Sequence, residues 1–400
     1  MHGLTTSQLM ILDTEREFWP SELAFSEVVY AERLELVQKD LLERGMSGVV
    51  LFDPENIYWL TGYQTIGYFT FQALCVLTSG KPVIVTRVVN RDMALALPTI
   101  ADVVCVFDTQ DHVDILENYL KKVTPVGRVG IETTSRYLNV HDYTRLVERL
   151  GVRLTAYDDV IEANRMVKTS EELARMRAAA RAVEAGLDAA IKTIAPGKTD
   201  NDLAAALYQG SIAAGSEYIG HPPMVVTGPR SELCFALWKR NTIEKGDVVL
   251  LEGAGCVDRY HAMMSRSAVV GKATDEQKAT AEALIEILET VIAAIRPGIT
   301  AGEVDFKCRK KVEQRGLGQF FKSRTAYGIG IGFPPNWAEG HIYSIRPNDP
   351  MILQPNMTFH VIPTMFRKGY GMAISDSVRV TEDGCEVLTN YPRHLIEVEA

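Results

Sequence analysis

The chain is expected to fold as two domains. Residues 1–165 read as an α/β domain around a mixed sheet. Residues 166–400 read as an α+β domain built from two pseudo-twofold halves. Three observations lead to this. At 400 residues the chain is too long for one ordinary core. In its first part, short apolar runs alternate with helix-length amphipathic stretches. In its second part, helix–Pro-Gly–x-Thr–helix occurs twice, at Pro196-Gly197/Thr199 and at Pro297-Gly298/Thr300, with the same internal spacing.

In chain order, Met1–Pro20 is expected to be an arm leaning on another surface. Residues 26–44 carry helical periodicity, and 48–52 (GVVLF) form a strand. Residues 53–72 are crowded with aromatics and broken by Gly62 and Gly67; such aromatics are more often core, but Tyr63, Gln64 and Tyr68 sit between glycines, where side chains can project from a loop toward a ligand. Strands are expected at 73–77, 82–87, 103–107 and 128–131, and helices at 113–123 and 141–150. A long helix starts after Lys168, with Thr169 or Ser170 as its cap and acids in its first turn. Each Pro-Gly then ends one helix, and the following Thr starts another.

Composition narrows the function. A net charge of −9 and the lack of a Lys/Arg block argue against nucleic-acid binding. The apolar runs are strand-length, which argues against a membrane span. Asp13, Glu15 and Glu17 spoil the N-terminus as a secretory signal. The six cysteines show no CxxC or zinc spacing and read as reduced thiols of a cytoplasmic protein.

The stretch 248–271, VVLLEGAGCVDRYHAMMSRSAVVG, is the chemical centre. It reads as two buried strands joined by a tight connection, and Glu252 ends the first apolar run. A buried carboxylate is costly unless paired, protonated or used. Glu252 is therefore either a structural partner, of Arg266 for example, or a working group.

The order of VKTSEELARMRAAA, APGKT and RPGIT, GHPPMVVTGPR, IEKGDVVLLEGAG, YGIGIGFPP and VRVTEDGCEVL resembles the pita-bread superfamily of methionine aminopeptidase, prolidase and creatinase. In its metallopeptidases, Asp, Asp, His, Glu and Glu hold a pair of divalent ions. Carried over, those positions fall here on Glu252, Met263, Tyr327, Ile362 and Ser375. A thioether, a phenol, an aliphatic chain and a hydroxyl do not replace that donor set, so no metal and no other cofactor is expected. The resemblance is stronger to the metal-free ectoine hydrolases, through DPENIYWLTGYQTIGY, GSEYIGHPPMVVTGPRS, VVLLEGAGCVDRYHA, GIGFPPNWAEGHIYSIRPND and MTFHVIP. It implies hydrolytic opening of a cyclic amidine. One departure stands out: Phe235 occupies a position where that family carries a His. A weakened binding pseudoenzyme, a prolidase-type peptidase and an osmolyte lyase are the alternatives.

Opening an amidine needs a base or nucleophile, a proton donor for the leaving nitrogen and a pocket for a cation. The expected catalytic residues are Glu252, His341 and His261, with His341 oriented by Glu339 or another carboxylate. The expected binding residues are Tyr63, Gln64, Tyr68, Phe69, His221, Trp238, Tyr260, Tyr327, Glu339 and His360. The substrate would be a small zwitterion or cation boxed by aromatics. The resemblance further implies a homodimer in which Tyr63 to Phe69 of one subunit reach the partner's site.

Overall fold

The computed structural model describes residues 21–400, so the expected arm at Met1–Pro20 lies outside them. The chain divides into two compact units, one ending at Glu162 and one starting at Ala163. Among the described residues, no helix is long and apolar enough to cross a membrane.

The N-terminal unit is built on six strands: β1 (Met46–Leu51), β2 (Gln72–Leu77), β3 (Val83–Arg87), β4 (Asp102–Val106), β5 (Arg128–Ile131) and β6 (Leu154–Ala156), in the order β4-β3-β2-β1-β5-β6. β1–β2 and β2–β3 are antiparallel, and β3–β4, β1–β5 and β5–β6 are parallel, so the sheet is mixed. Val50, Cys75, Val85 and Val129 share one core with Val113, Leu116 and Leu146 of the covering helices. Two local readings change. Residues 53–72 are not an open loop: Pro54–Thr61 is helical, with Asp53 at its N-cap and Gly62 closing it at φ 73°. The three-residue strand β6 was too short to leave a periodic signal.

The C-terminal unit begins with the Ser170–Thr193 helix. Its cap is a capping box of Thr169 with Glu172. The two Pro-Gly turns fold alike. Gly197 and Gly298 take φ 85° and 83°. Thr199 and Thr300 form capping boxes with Asp202 and Glu303, starting the Asp200–Ala213 and Ala301–Gln314 helices. Each Thr also bridges to an extended segment, Thr199 to Thr242 and Thr300 to Ile352. One half continues into β7 (Met224–Thr227), β8 (Val248–Val257) and β9 (Tyr260–Val270), with β17 (Ile396–Val398) added beside β9. After the Asp275–Ala294 and Ala301–Gln314 helices, the other half supplies β10 (Ala326–Gly328), β11 (Ser344–Ile345), β12 (Thr358–Val361), β13 (Thr364–Arg367), β14 (Tyr370–Ala373), β15 (Asp376–Val380) and β16 (Cys385–Val387). Of these, β11-β10-β12-β15-β16 form one antiparallel sheet and β13-β14 a hairpin.

β8 and β9 pair antiparallel from Val248↔Val269 to Val257↔Tyr260. Alternation sends the odd residues of β8 toward the first helix pair. Val249 and Leu251 pack with Val183 and Leu187. Gly255 lies so close that an added Cβ would stand 2.0 Å from the Ala179 carbonyl oxygen. The even residues, Glu252 among them, therefore turn to the opposite face of the sheet. There Ser265, directly across from Glu252, bridges to Ser375 ahead of β15.

Candidate active site

Glu252 is 4% exposed, and among the described residues its carboxyl has no hydrogen-bond or ion-pair partner. Burial lifts its pKa to about 8. Arg266 is not its partner: that guanidinium binds Asp376 at 3.0 Å and the carbonyls of Ser375 and Tyr391. Two neighbours feel the Glu252 charge. The Cys234 thiol is raised by its own burial and then by Glu252. The Tyr327 phenol is raised well above its ordinary value, again by burial first and by Glu252 second.

Tyr327 stands on β10 opposite His360 on β12. The Tyr327 hydroxyl is 2.6 Å from His360 Nδ1, and Ser375 Oγ is 2.7 Å from His360 Nε2. Burial, and then the positive charge of Arg266, press the imidazole pKa down to about 3, so it is neutral. The Trp337 indole also acts on the Tyr327 hydroxyl, favouring its ionised form. Trp337 in turn lies 4.8 Å, centroid to centroid, from the His221 ring. His221 faces Phe235 at 6.4 Å, and its Nδ1 meets the Pro222 carbonyl at 2.5 Å. Phe235, in the slot where the resemblance expects a His, is 71% exposed at φ 63°. A bulky side chain in the left-handed region stores strain, which concentrates at functional sites. Tyr327 thus contacts His360, Trp337 contacts His221, and the charge of Glu252 acts on Tyr327 within the C-terminal unit.

The structure gives several expected site residues other work. His261 is fully buried, with Nδ1 donating to the Arg259 carbonyl and Nε2 accepting the Gly220 N–H, so it fastens two backbone segments and has no nitrogen left for acid–base chemistry. Tyr260 donates to Glu172 at 2.6 Å and ties β9 to the long helix. Glu339 does not serve as an orienter of His341. It is fully buried between Arg165 and Lys168, each at 2.7 Å. Its burial raises the carboxyl, but those two cations outweigh it and hold Glu339 below the usual range. His341 is exposed in the following turn. Trp238 packs edge-on against Tyr208, beside the helix-facing core.

In the N-terminal unit, Tyr63 and Tyr68 do not project. They are 1% and 4% exposed, with Tyr68 edge-on against Tyr137. Their aromatic bodies are large apolar surfaces that the unit's core takes up. Gln64 lines a shallow cleft with Gly62, Met93 and Leu97, and Phe69 is 73% exposed. Trp337 and Cys234 were missed in the sequence. Trp337 lies only two residues from Glu339, but a single indole carries no periodic signal.

Tyr327 and Ser375 are both bonded to His360, Met263 is fully buried on β9, and Ile362 is aliphatic. This donor set does not fit a pair of divalent ions. Among the described residues, the grouping that could offer three ligand atoms is Asp53, Glu132 and Glu162, in the N-terminal unit.

Comparison with known proteins bears on the fold and family. The chain is 28% identical to ectoine hydrolase of Halomonas elongata over 400 residues, spanning 93% of this chain and 98% of that protein. It is 26% identical to the Xaa-Pro dipeptidase of Pyrococcus furiosus, spanning 91% and 99%. The crystal structure of dipeptidase PepE from Mycobacterium ulcerans superposes with a TM-score of 0.81 at 24% identity, covering 94% of this chain and 100% of that one. Prolidase from Thermococcus sibiricus gives 0.83 at 24% identity, covering 92% and 99%. At that identity the two structures speak to fold alone. The Creatinase/Prolidase N-terminal domain matches residues 33–167. Metallopeptidase family M24 matches residues 174–382, over half of the chain, and the chain belongs to that family of hydrolases, on its two-domain pita-bread fold.

Proposed function

We propose that the protein is a metal-independent hydrolase that opens a C–N bond of a small cyclic amidine of the ectoine type. The observation that carries this reading is Glu252: a buried, unpaired carboxyl on β8, beside Tyr327 where the family's His would be. A neutral acid near pKa 8 that loses its proton when a cation binds is suited to activate water or to attack the amidinium carbon itself. The aromatic faces of Tyr327, Trp337 and His221 suit a delocalised cation. Similarity to an ectoine hydrolase over nearly its whole length supports the substrate class. Relatives named dipeptidases match comparably, and against the peptidase reading stands the donor set at Met263, Tyr327, Ile362 and Ser375.

The test is NMR of the purified protein with ectoine and with an Xaa-Pro dipeptide, each with and without chelator. Ectoine opening that survives chelation and is lost in Glu252→Gln, with the fold retained, is the expected outcome. Chelator-sensitive cleavage of the dipeptide would sink the reading. Phe235 favours one rival, a binding pseudoenzyme, which the same experiment exposes as ectoine binding without turnover.

A further inference from the structure

Ser375 is fully buried, and among the described residues His360 Nε2 is the hydrogen-bond partner of its hydroxyl. A buried hydroxyl must place its proton on an acceptor. Ser375 Oγ–H therefore donates to Nε2, which fixes the imidazole tautomer with its proton on Nδ1. Nδ1–H then donates to the Tyr327 oxygen, 2.6 Å away. The Trp337 indole acts on that same oxygen. A phenol oxygen that accepts from the His360 Nδ1–H has its own proton left to give away. Tyr327 is partly exposed while Ala326 and Gly328 on either side are buried, and Glu252 lies near enough for its charge to act on the phenol.

We propose that Tyr327 is the proton donor to the leaving nitrogen, and that Ser375 and His360 are positioning residues that turn its proton outward and stabilise the phenolate. This rests on the amidine-hydrolase reading above. Water adds to the amidinium carbon, its O–C bond forms, and Glu252 takes one of its protons. Tyr327 gives its proton to the ring nitrogen, and the C–N bond breaks with its electron pair going to that nitrogen. The new carbonyl forms as the carbon-bound hydroxyl returns its proton to the Tyr327 phenolate, which His360 Nδ1–H holds meanwhile. Glu252 finally passes its proton to the freed amine. The products are an amide and an ammonium group, and both side chains are restored.

Two probes separate this role from a structural one. Ectoine has an alkyl leaving nitrogen. In 2-methyl-1,4-dihydroquinazoline the aryl nitrogen leaves with less need of a proton. Tyr327→Phe is expected to lose at least ~100-fold in kcat on ectoine, with KM nearly unchanged, and under ~10-fold on the quinazoline. His360→Leu should show the same preference more weakly. His360→Gln, whose amide can accept from Ser375 and donate to Tyr327, should recover much of the loss. Melting curves and calorimetric binding of ectoine establish that each variant is folded. Equal losses on both substrates, no loss at all, or no difference between the Gln and Leu variants would overturn the role of Tyr327 and His360. Glu252→Gln separates the two ideas, because it should abolish turnover of both substrates. If it does so while Tyr327→Phe does not discriminate, the function stands and this inference falls. If the parent protein opens neither amidine, both fall.

Discussion

Glu252 and His261 show how two buried polar groups on adjoining strands diverge. His261 satisfies both ring nitrogens on backbone atoms, which fixes its tautomer and removes it from chemistry. Glu252 satisfies nothing among the described side chains, and its pKa stands near 8 instead of 4.5. The folded state thus keeps a proton that the unfolded chain releases. The neutral carboxyl costs nothing extra below about pH 4.5. Between 4.5 and 8 the fold is destabilised by about 1.4 kcal/mol per pH unit, and above 8 the penalty levels off. Glu252→Gln removes this titration. Urea unfolding should find the variant more stable than the parent at about pH 9 and close to it near pH 4.5. A gap that stays flat across that window would mean the carboxyl is charged and paired in the fold. Glu252 stood out in the sequence because an acid closes an apolar run. His261 looked equally promising, since strand alternation gives only the face a side chain points to, not which backbone groups wait for it.

At the scale of elements, local chemistry was legible wherever one residue type does one job. The Pro-Gly turns, their following Thr residues and the repeat they mark are all present, because φ near +85° demands Gly and a helix start demands an acceptor for its free N–H groups. Thr199→Ala and Thr300→Ala should each cost about 1 kcal/mol in thermal or urea melts, and by similar amounts, since the two caps are geometric equivalents. Losses that differ severalfold would break that equivalence. The segment 53–72 was misread for an opposite reason. Its aromatics suggested a ligand-facing loop, but Asp53, Pro54 and Gly62 are start and stop signals of a short helix that buries Tyr58 and Trp59. Composition drew attention away from the caps.

For the whole molecule, the homodimer implied by the resemblance is retained as a proposal, with its reach narrowed to Ile66 and Phe69. They stay 63% and 73% exposed while Tyr63 and Tyr68 are buried. Sedimentation is expected to give about twice 44.4 kDa, and Phe69→Asp to raise KM for ectoine without lowering the melting temperature. A monomer with full activity would remove this turn from the site. The sequence by itself determined the two-domain plan and the doubled helix–turn–helix. The first follows from chain length and alternating apolar runs, the second from residue type at a fixed spacing along the chain. Only the tertiary structure decided which polar groups are already satisfied: Glu339 by Arg165 and Lys168, Tyr260 by Glu172, His261 by backbone, and Tyr327 joined through His360 to Ser375. Hydrogen-bond partners come from strands and helices far apart in sequence, and no local pattern records them.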